Sequence, residues 1–149
     1  MLSVKRLSRD EAFIIILAAE KKAAAIGVPQ AIAVTDESGN LIAFSRMDGG
    51  KVSSIQIAMA KAFTSGAARN TTMFYNEHCV PGSPVFGIHV SNDGRFSTIG
   101  GGIPVMVGQN CVGGIGVSSG TPAEDILVAE AGLKALEAHW RRQRSKKRN

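Results

Sequence analysis

The chain has 149 residues, of which 44% are hydrophobic and 19% are charged. This length and composition are typical of one soluble globular domain with a substantial core. No apolar run reaches the roughly 18 residues that a membrane-spanning helix needs. The acidic residues near the N-terminus also argue against a signal peptide, so we expect a cytoplasmic protein.

The net charge of +5 comes from the last nine residues, which carry six positive charges and no acid. Without them, 11 basic residues face 12 acidic ones, so a basic folded surface for nucleic acid is not indicated. We predict one domain over residues 1–140 and a solvated, disordered basic tail over residues 141–149. Cys79 and Cys111 lack C-x-x-C spacing, and we expect both to be reduced.

The first element in chain order is a helix. Ser8 and Glu11 form a capping box ahead of the apolar stretch that begins at Ala12. Gly27 and Pro29 predict the end of this helix.

A hairpin and a second helix follow. Residues 31–35 and 41–47 read as strands, and the Gly39-Asn40 pair between them favours a tight turn. The next helix is predicted to run to about Ala68. Residues spaced three and four apart predict its buried face, which consists of Val52, Ile55, Met59, Ala62 and Phe63.

The middle of the chain is less regular. Residues 71–79 predict a short helix that is capped by Thr71 or Thr72 and broken by Pro81-Gly82. Residues 85–99 are interpreted as a further hairpin that turns at residues 92–94.

The last third predicts two strands, at residues 103–107 and 112–118, and a long helix. Thr121, Pro122 and Glu124 give this helix a cap, a proline in the first position and a capping box. Its predicted buried stripe is Ile126, Ala129, Leu133, Leu136 and Trp140. The order of elements predicts an α+β sandwich, in which helices pack on an antiparallel sheet of about five strands.

A glycine-rich stretch, residues 113–120, raises the question of a nucleotide site. The G-x-x-x-x-G-K-[ST] loop is absent, and Ser119 stands where G-x-G-x-x-G needs its last glycine. The strand glycines indicate close approach either of a ligand or of a packed helix. Ser118, Ser119 and the N–H groups that begin the final helix form a corner suited to a carboxylate.

Four segments carry a family resemblance: VTDESGNLIAFSRMDGG, SIQIAMAKAFTSG, GGGIPVMV and VGGIGVSSGTPAEDILVAEAGL. They resemble the GlcG/HbpS family over about residues 8 to 138. That family includes haem-binding proteins and the C-terminal domain of PduO-type corrinoid adenosyltransferases. The resemblance implies a profilin-like or roadblock-like sandwich, assembly into dimers to octamers, and haem or a related tetrapyrrole as ligand.

The residues that match the family motifs are candidate cofactor contacts. Arg46 pairs either with Asp48 or with a ligand acid. Lys61 forms either an ion pair or a contact to a propionate or substrate acid. The glycine loop before Pro104 forms either a pocket wall or a simple strand entry. The predicted cofactor-binding set is Arg46, Asp48, Lys61, His78, His89, Gly101, Gly102 and Ser118.

The densest titratable cluster lies in residues 75–96, a stretch punctuated by proline and glycine. His78 is the leading candidate, either as a haem axial ligand, as a general base, or as a helix-end residue that meets free carbonyls. The predicted catalytic set is Tyr75, Glu77 and His78. No ligand pair has the i, i+4 spacing of a zinc site, so no metal site is predicted.

Two functions remain open from the sequence. The first is binding of haem or a related tetrapyrrole. The second is an isomerase, lyase or hydrolase that acts on an organic acid by acid/base chemistry. In both, the expected partners are a small ligand and further copies of the chain, without specific nucleic acid.

Overall fold

The fold is a four-stranded sheet with helices on both faces, seen in a computed structural model that describes residues 1–148. In chain order, the elements are α1 (Arg9–Ala25), β1 (Ala31–Asp36), β2 (Leu41–Arg46), α2 (Ser54–Ala68), α3 (Thr72–His78), β3 (Gly102–Val107), β4 (Asn110–Ser118) and α4 (Pro122–Lys146). Two single 3-10 turns, Ile88–Val90 and Asn92–Gly94, lie between α3 and β3.

The strands follow the order β2-β1-β4-β3, and each neighbouring pair is antiparallel. Helices α1 and α4 pack together on one face of the sheet, while α2 covers the other. The α+β sandwich predicted from the order of elements is therefore confirmed, with four strands in place of about five.

The two faces of the sheet differ in the size of their side chains. Between the sheet and the α1–α4 pair lies an aliphatic core that includes Ile15, Ile32, Val34, Ile115 and Leu136. Beneath α2 the buried apolar residues are four alanines: Ala31, Ala33, Ala58 and Ala62. Because these side chains are short, α2 lies close to the backbone of β4.

The predicted helix starts are confirmed. Ser8 with Glu11 and Thr121 with Glu124 form complete capping boxes, and the Thr71 hydroxyl caps α3. Each side-chain oxygen satisfies a backbone N–H that a helix start leaves without an intrahelical acceptor.

The predicted hairpin over residues 85–99 is wrong. This segment forms turns and the two 3-10 turns instead. Asn92, Asp93 and Gly94 all have positive φ, and Gly87 has φ of 96°. Positive φ at residues 92–94 is compatible with a hairpin turn, but Gly87 and the 3-10 turn at Ile88–Val90 fall inside the predicted first strand and prevent it from extending.

The predicted buried face of α2 is correct at Ala62, which is fully buried, but wrong at other positions. Val52 precedes the helix and is 71% exposed, while Met59 and Phe63 are only half-buried. The residues that face the sheet are small or polar: Ser54, Ala58, Lys61, Ala62 and Ser65. The helical period was correct, but the glycines of β4 select small side chains for the contact.

The basic tail is helical where a disordered tail was expected. Helix α4 continues to Lys146, past the predicted boundary at residue 140. An i, i+4 ion pair between Glu137 and Arg141, together with basic residues in the last turn, favours this extension. Asn149 lies outside the described residues. None of the helices in residues 1–148 combines the length and the hydrophobicity that a bilayer crossing requires.

Candidate functional site

The strand glycines lie directly against α2. A methyl group on Gly116 would meet backbone atoms of Ala58 and Ala62, and one on Gly114 would meet the carbonyl oxygen of Ala62. Of the two interpretations left open for the strand glycines, the packed helix is therefore the one shown for Gly114 and Gly116, whereas a side chain on Gly113 would meet Leu7 and the carbonyl oxygen of Thr35. Gly114 and Gly116 therefore set the distance between helix and sheet.

The glycine loop before β3 is packed in the same way. Gly101 has φ of 126°, and a side chain there would meet Lys61 Nζ at 2.8 Å. Gly102 donates its N–H to Thr72 Oγ1 at 2.8 Å, which joins the start of β3 to the start of α3. The structure thus gives Gly101 and Gly102 a packing role, and their contact with a cofactor stays a prediction.

Lys61 is the largest fully buried side chain and is only 1% exposed. Its ammonium donates to Asp125 Oδ2 and to the carbonyl oxygen of Val117, both at 2.8 Å. Burial lowers the pKa of Lys61 below its ordinary value, and the carboxylate of Asp125 opposes that shift. The ion-pair interpretation of Lys61 is therefore the one that the structure shows, and its ammonium points at protein oxygens.

Arg46 and Asp48 lie at the end of β2 and are both exposed. Among residues 1–148 they form no ion pair with each other. The residue between them, Met47, turns inward and its Sδ accepts the N–H of Gln30. The cofactor contacts predicted for Arg46 and Asp48 stay predictions.

The predicted catalytic set does not act as one hydrogen-bonded unit. Tyr75 packs edge-on against Phe96, with ring centroids 4.7 Å apart, and burial raises the pKa of its phenol. Glu77 is exposed on the outer face of α3. In the described part of the chain, neither residue hydrogen-bonds to His78, so the geometry gives no support to an acid/base triad.

His78 belongs instead to a chain of aromatic and sulfur contacts at the end of α3. Its ring stacks on Phe74 at 4.0 Å, and its Nδ1 lies 2.7 Å from the Phe74 carbonyl oxygen. The next residue, Cys79, has its Sγ 3.2 Å from His89 Nδ1. The His89 ring in turn lies 6.1 Å from that of Phe86. We call these five residues the aromatic–histidine cluster.

The surroundings of this cluster are unusually apolar for a surface. Several large hydrophobic side chains between residues 73 and 99 are more than a third exposed: Met73, Phe74, Val80, Phe86, Val90 and Ile99. Single exposed apolar residues are normal on a protein surface, so these six side chains show only that the segment exposes more apolar area than the rest of the chain's loops need to.

Ser118 and Ser119 lie where the sequence placed a carboxylate corner, but two acids of the first turn of α4 already accept N–H groups of the loop before the helix. Gly120 N–H donates to Asp125 Oδ1, and Thr121 N–H donates to Glu124 Oε2. The unfilled part of this corner opens toward the start of α2, where Lys51 N–H donates to Ser119 Oγ.

Two cluster members, Phe74 and Phe86, were not singled out from the sequence. Phe74 and His78 are four residues apart on one helix, a spacing that does signal a shared face. Phe86 and the pairing of Cys79 with His89 depend on the path of an irregular loop, and no periodic pattern announces them.

Comparison with known families gives one match over most of the chain. Residues 7–134 match the family described as "Haem degrading protein HbpS-like". A 15.0 kDa protein of Citrobacter freundii, from the dhaT-dhaS intergenic region, is 37% identical over 78% of this chain and 82% of its own length. The GlcG protein of Escherichia coli K12 is 34% identical over 75% of this chain and 81% of its own.

Solved structures with the same fold include a haem complex. The Klebsiella pneumoniae protein ORFY is 32% identical, with a TM-score of 0.90 over 93% of this chain and 95% of its own. The PduOC–haem complex is 26% identical, with a TM-score of 0.83 over 87% of this chain and 94% of its own. The present chain spans 39% of the full corrinoid adenosyltransferase PduO of Citrobacter freundii.

Proposed function

Because the chain belongs to the HbpS-like family, we propose that it binds haem or a related tetrapyrrole at the aromatic–histidine cluster. The observation that carries this proposal is the contact between His78 Nδ1 and the Phe74 carbonyl oxygen. With its proton on Nδ1, His78 donates a hydrogen bond to that carbonyl. In this tautomer Nε2 carries no proton, and its lone pair is free to bind a metal.

This arrangement fits the chemistry of an iron ligand. Histidines that bind metals usually donate their other ring N–H to a carbonyl or carboxylate, which fixes the tautomer and the ring orientation. Nε2 of a neutral imidazole is a common axial donor to haem iron. His78 is exposed at the end of α3, so a bulky planar ligand can reach it.

The neighbouring side chains fit the rest of a tetrapyrrole. Bound haem supplies a redox-active iron within a flat, largely apolar ring. Phe74 and Phe86 offer aromatic surface beside the two histidines, and Met73 and Val90 extend the apolar area. Burying this surface against a ring removes apolar area from water, at about 25 cal/mol per Å².

Lys61 and Arg46, the two propionate partners proposed from the resemblance, differ in their access to a ligand. Lys61 is held by Asp125 inside the protein and is a poor candidate. Arg46 is exposed and stays in the proposal, although it lies at the end of β2 and outside the cluster. The exposed apolar side chains also favour assembly into a homo-oligomer, as the resemblance implies.

A haem titration with matched histidine variants tests the proposal. We expect saturable binding of haem with a sharp Soret shift in the native protein. His78→Ala removes the donor and should weaken binding by more than about tenfold, since even loss of an outer partner costs that much at metal sites. His139→Ala is the control, because His139 lies on α4 and contacts Gln143.

Circular dichroism and thermal unfolding of each variant show whether it has kept its fold. The proposal fails if the native protein gives no saturable Soret shift. It also fails if His78→Ala and His139→Ala bind haem equally well. Loss of binding in His89→Ala alone would move the axial ligand to the other half of the cluster.

A further inference from the structure

A cavity lies between the start of α2 and the start of α4, apart from the aromatic–histidine cluster. It encloses about 230 Å³, and its wall includes Lys51, Ser54, Ser118 and Ser119. We propose that this cavity binds the carboxylate group of a short-chain organic acid. The site shares no residue with the aromatic–histidine cluster and does not depend on haem binding.

The first support is a pair of buried hydroxyl groups. Ser54 is 2% exposed and Ser118 is 5% exposed, and both line the cavity. Within residues 1–148, neither Oγ has a hydrogen-bond partner in the protein. Every side-chain polar atom that is sealed from solvent does have one, so these two hydroxyls reach solvent through the cavity. Because neither hydroxyl is engaged by the protein, both are free to donate to an acceptor that enters the cavity.

The second support is the way α2 begins. Helices α1 and α4 carry acidic residues in their first turn and a complete capping box. Helix α2 has neither an acidic residue in its first turn nor a side-chain cap. The N–H groups of Ser54 and Ile55 donate to the carbonyl oxygens of Lys51 and Val52, so the helix contributes its positive dipole, which no acidic side chain of its first turn offsets.

The charged groups around the cavity include one positive charge that no acidic group of residues 1–148 neutralises. Lys61 and Asp125 lie in its wall, but they neutralise each other at 2.8 Å. Asp125 Oδ1 accepts the N–H of Gly120 and also faces the amide of Gln30, which donates to it in its hydrogen-bonded orientation. Lys51 is exposed at the rim and adds one free positive charge.

The size and walls of the cavity select the class of anion. A polyphosphate site uses several cationic groups and a glycine-rich nest, whereas the exposed cation here is Lys51. Ile57, Ile99 and Pro122 supply apolar walls for a short carbon chain. Ser119 has φ of 114°, a region that a residue with a side chain rarely adopts, and it holds the loop against Lys51 N–H.

The experiment is an NMR titration of the full chain with sodium propanoate, with inorganic phosphate and sodium chloride as separate arms. We expect saturable shifts of the amide signals of residues 51–54 and 118–120 with propanoate. Ser54→Ala and Ser118→Ala should each weaken binding about tenfold, the value of one hydrogen bond to a charged group. Ser3→Ala is the control, because Ser3 is exposed and does not line this cavity.

Three results would overturn the proposal. One is the absence of saturable shifts with propanoate at tens of millimolar. Another is tighter binding of phosphate or chloride than of propanoate. The third is equal binding by the native protein and the Ser54→Ala, Ser118→Ala double variant with its fold intact. His78→Ala should bind propanoate normally, and the double variant should bind haem normally, so the two proposed sites fail independently.

Discussion

Lys61 and Asp125 illustrate how single residues stabilise this fold. Their charged groups are almost completely buried, and they join α2 to the start of α4 at 2.8 Å. Desolvation of two ions is costly, and their attraction offsets that cost only while both partners are present. The pair therefore contributes little net stability but imposes a large penalty when one member is lost.

We expect Asp125→Ala to destabilise the protein by about 3–5 kcal/mol, because it leaves the Lys61 ammonium buried without a counter-ion. Glu130→Ala, at an exposed position on the same helix, should change stability by less than about 0.5 kcal/mol. Urea unfolding monitored by circular dichroism measures both. A loss in Asp125→Ala no larger than in Glu130→Ala would contradict the assigned ion pair.

The direction in which stability changes with pH follows from the lowered pKa of Lys61. Because the folded state lowers the pKa of Lys61, the unfolded chain binds more protons, and stability rises with pH up to the ordinary value of 10.5. The penalty in Asp125→Ala should therefore shrink as the pH rises toward that value, since neutral Lys61 needs no counter-ion.

At the scale of elements, Glu11 holds two helices together. One carboxylate oxygen accepts the Ser8 N–H in the capping box of α1, and the other accepts Trp140 Nε1 of α4 at 2.6 Å. Burial acts to raise the pKa of Glu11, but the hydrogen bonds from Ser8 and Trp140 outweigh it and the net pKa is lowered. One side chain thus begins α1 and positions α4 beside it.

Glu11→Ala should destabilise the protein by about 1–3 kcal/mol, because it removes half of the capping box and the partner of the Trp140 indole. Ser8→Ala removes only the cap and should cost about 1 kcal/mol. The pKa of Glu11 is depressed in the folded state, so its contribution is complete above pH 4.5 and is lost as the pH falls through the folded value. Urea unfolding at several pH values tests this, and a difference that grows in acid would contradict it.

At the scale of the whole molecule, local signals in the sequence predicted most of the architecture. Capping boxes, hairpin turns and apolar periods are properties of neighbouring residues, which is why α1, β1, β2 and the start of α4 are correctly predicted. The predictions that proved wrong concern features that are set by contacts between distant residues. The face of α2 is selected by glycines on β4, and the path of residues 85–99 is set by left-handed turns that resemble a hairpin signal.

The candidate sites also combine features that local sequence shows with features that depend on contacts between distant residues. His78 was identified from composition, because histidine at a helix end is visible in the sequence. Its partner Phe74 and the cavity wall at Ser54 became clear only when the elements were assembled. Ser54 and Ser118 are 64 positions apart in the chain, and no local pattern links them. The burial of Lys61 likewise depends on Asp125, which is also 64 positions away in the chain.

The small-residue contact between α2 and β4 gives a prediction for the whole sandwich. A methyl group on Gly116 would meet backbone atoms of α2, which cannot rotate away as a side chain can, so the helix must move. Gly116→Ala should cost about 3 kcal/mol, the upper end of the usual range for overpacking. Ile115→Val, on the opposite face of the same strand, leaves only a small void and should cost about 1 kcal/mol. Thermal and urea unfolding of the two variants measure the difference. If Gly116→Ala proves the milder change, α2 does not lie as close to the sheet as described, and the cavity at its start changes shape with it.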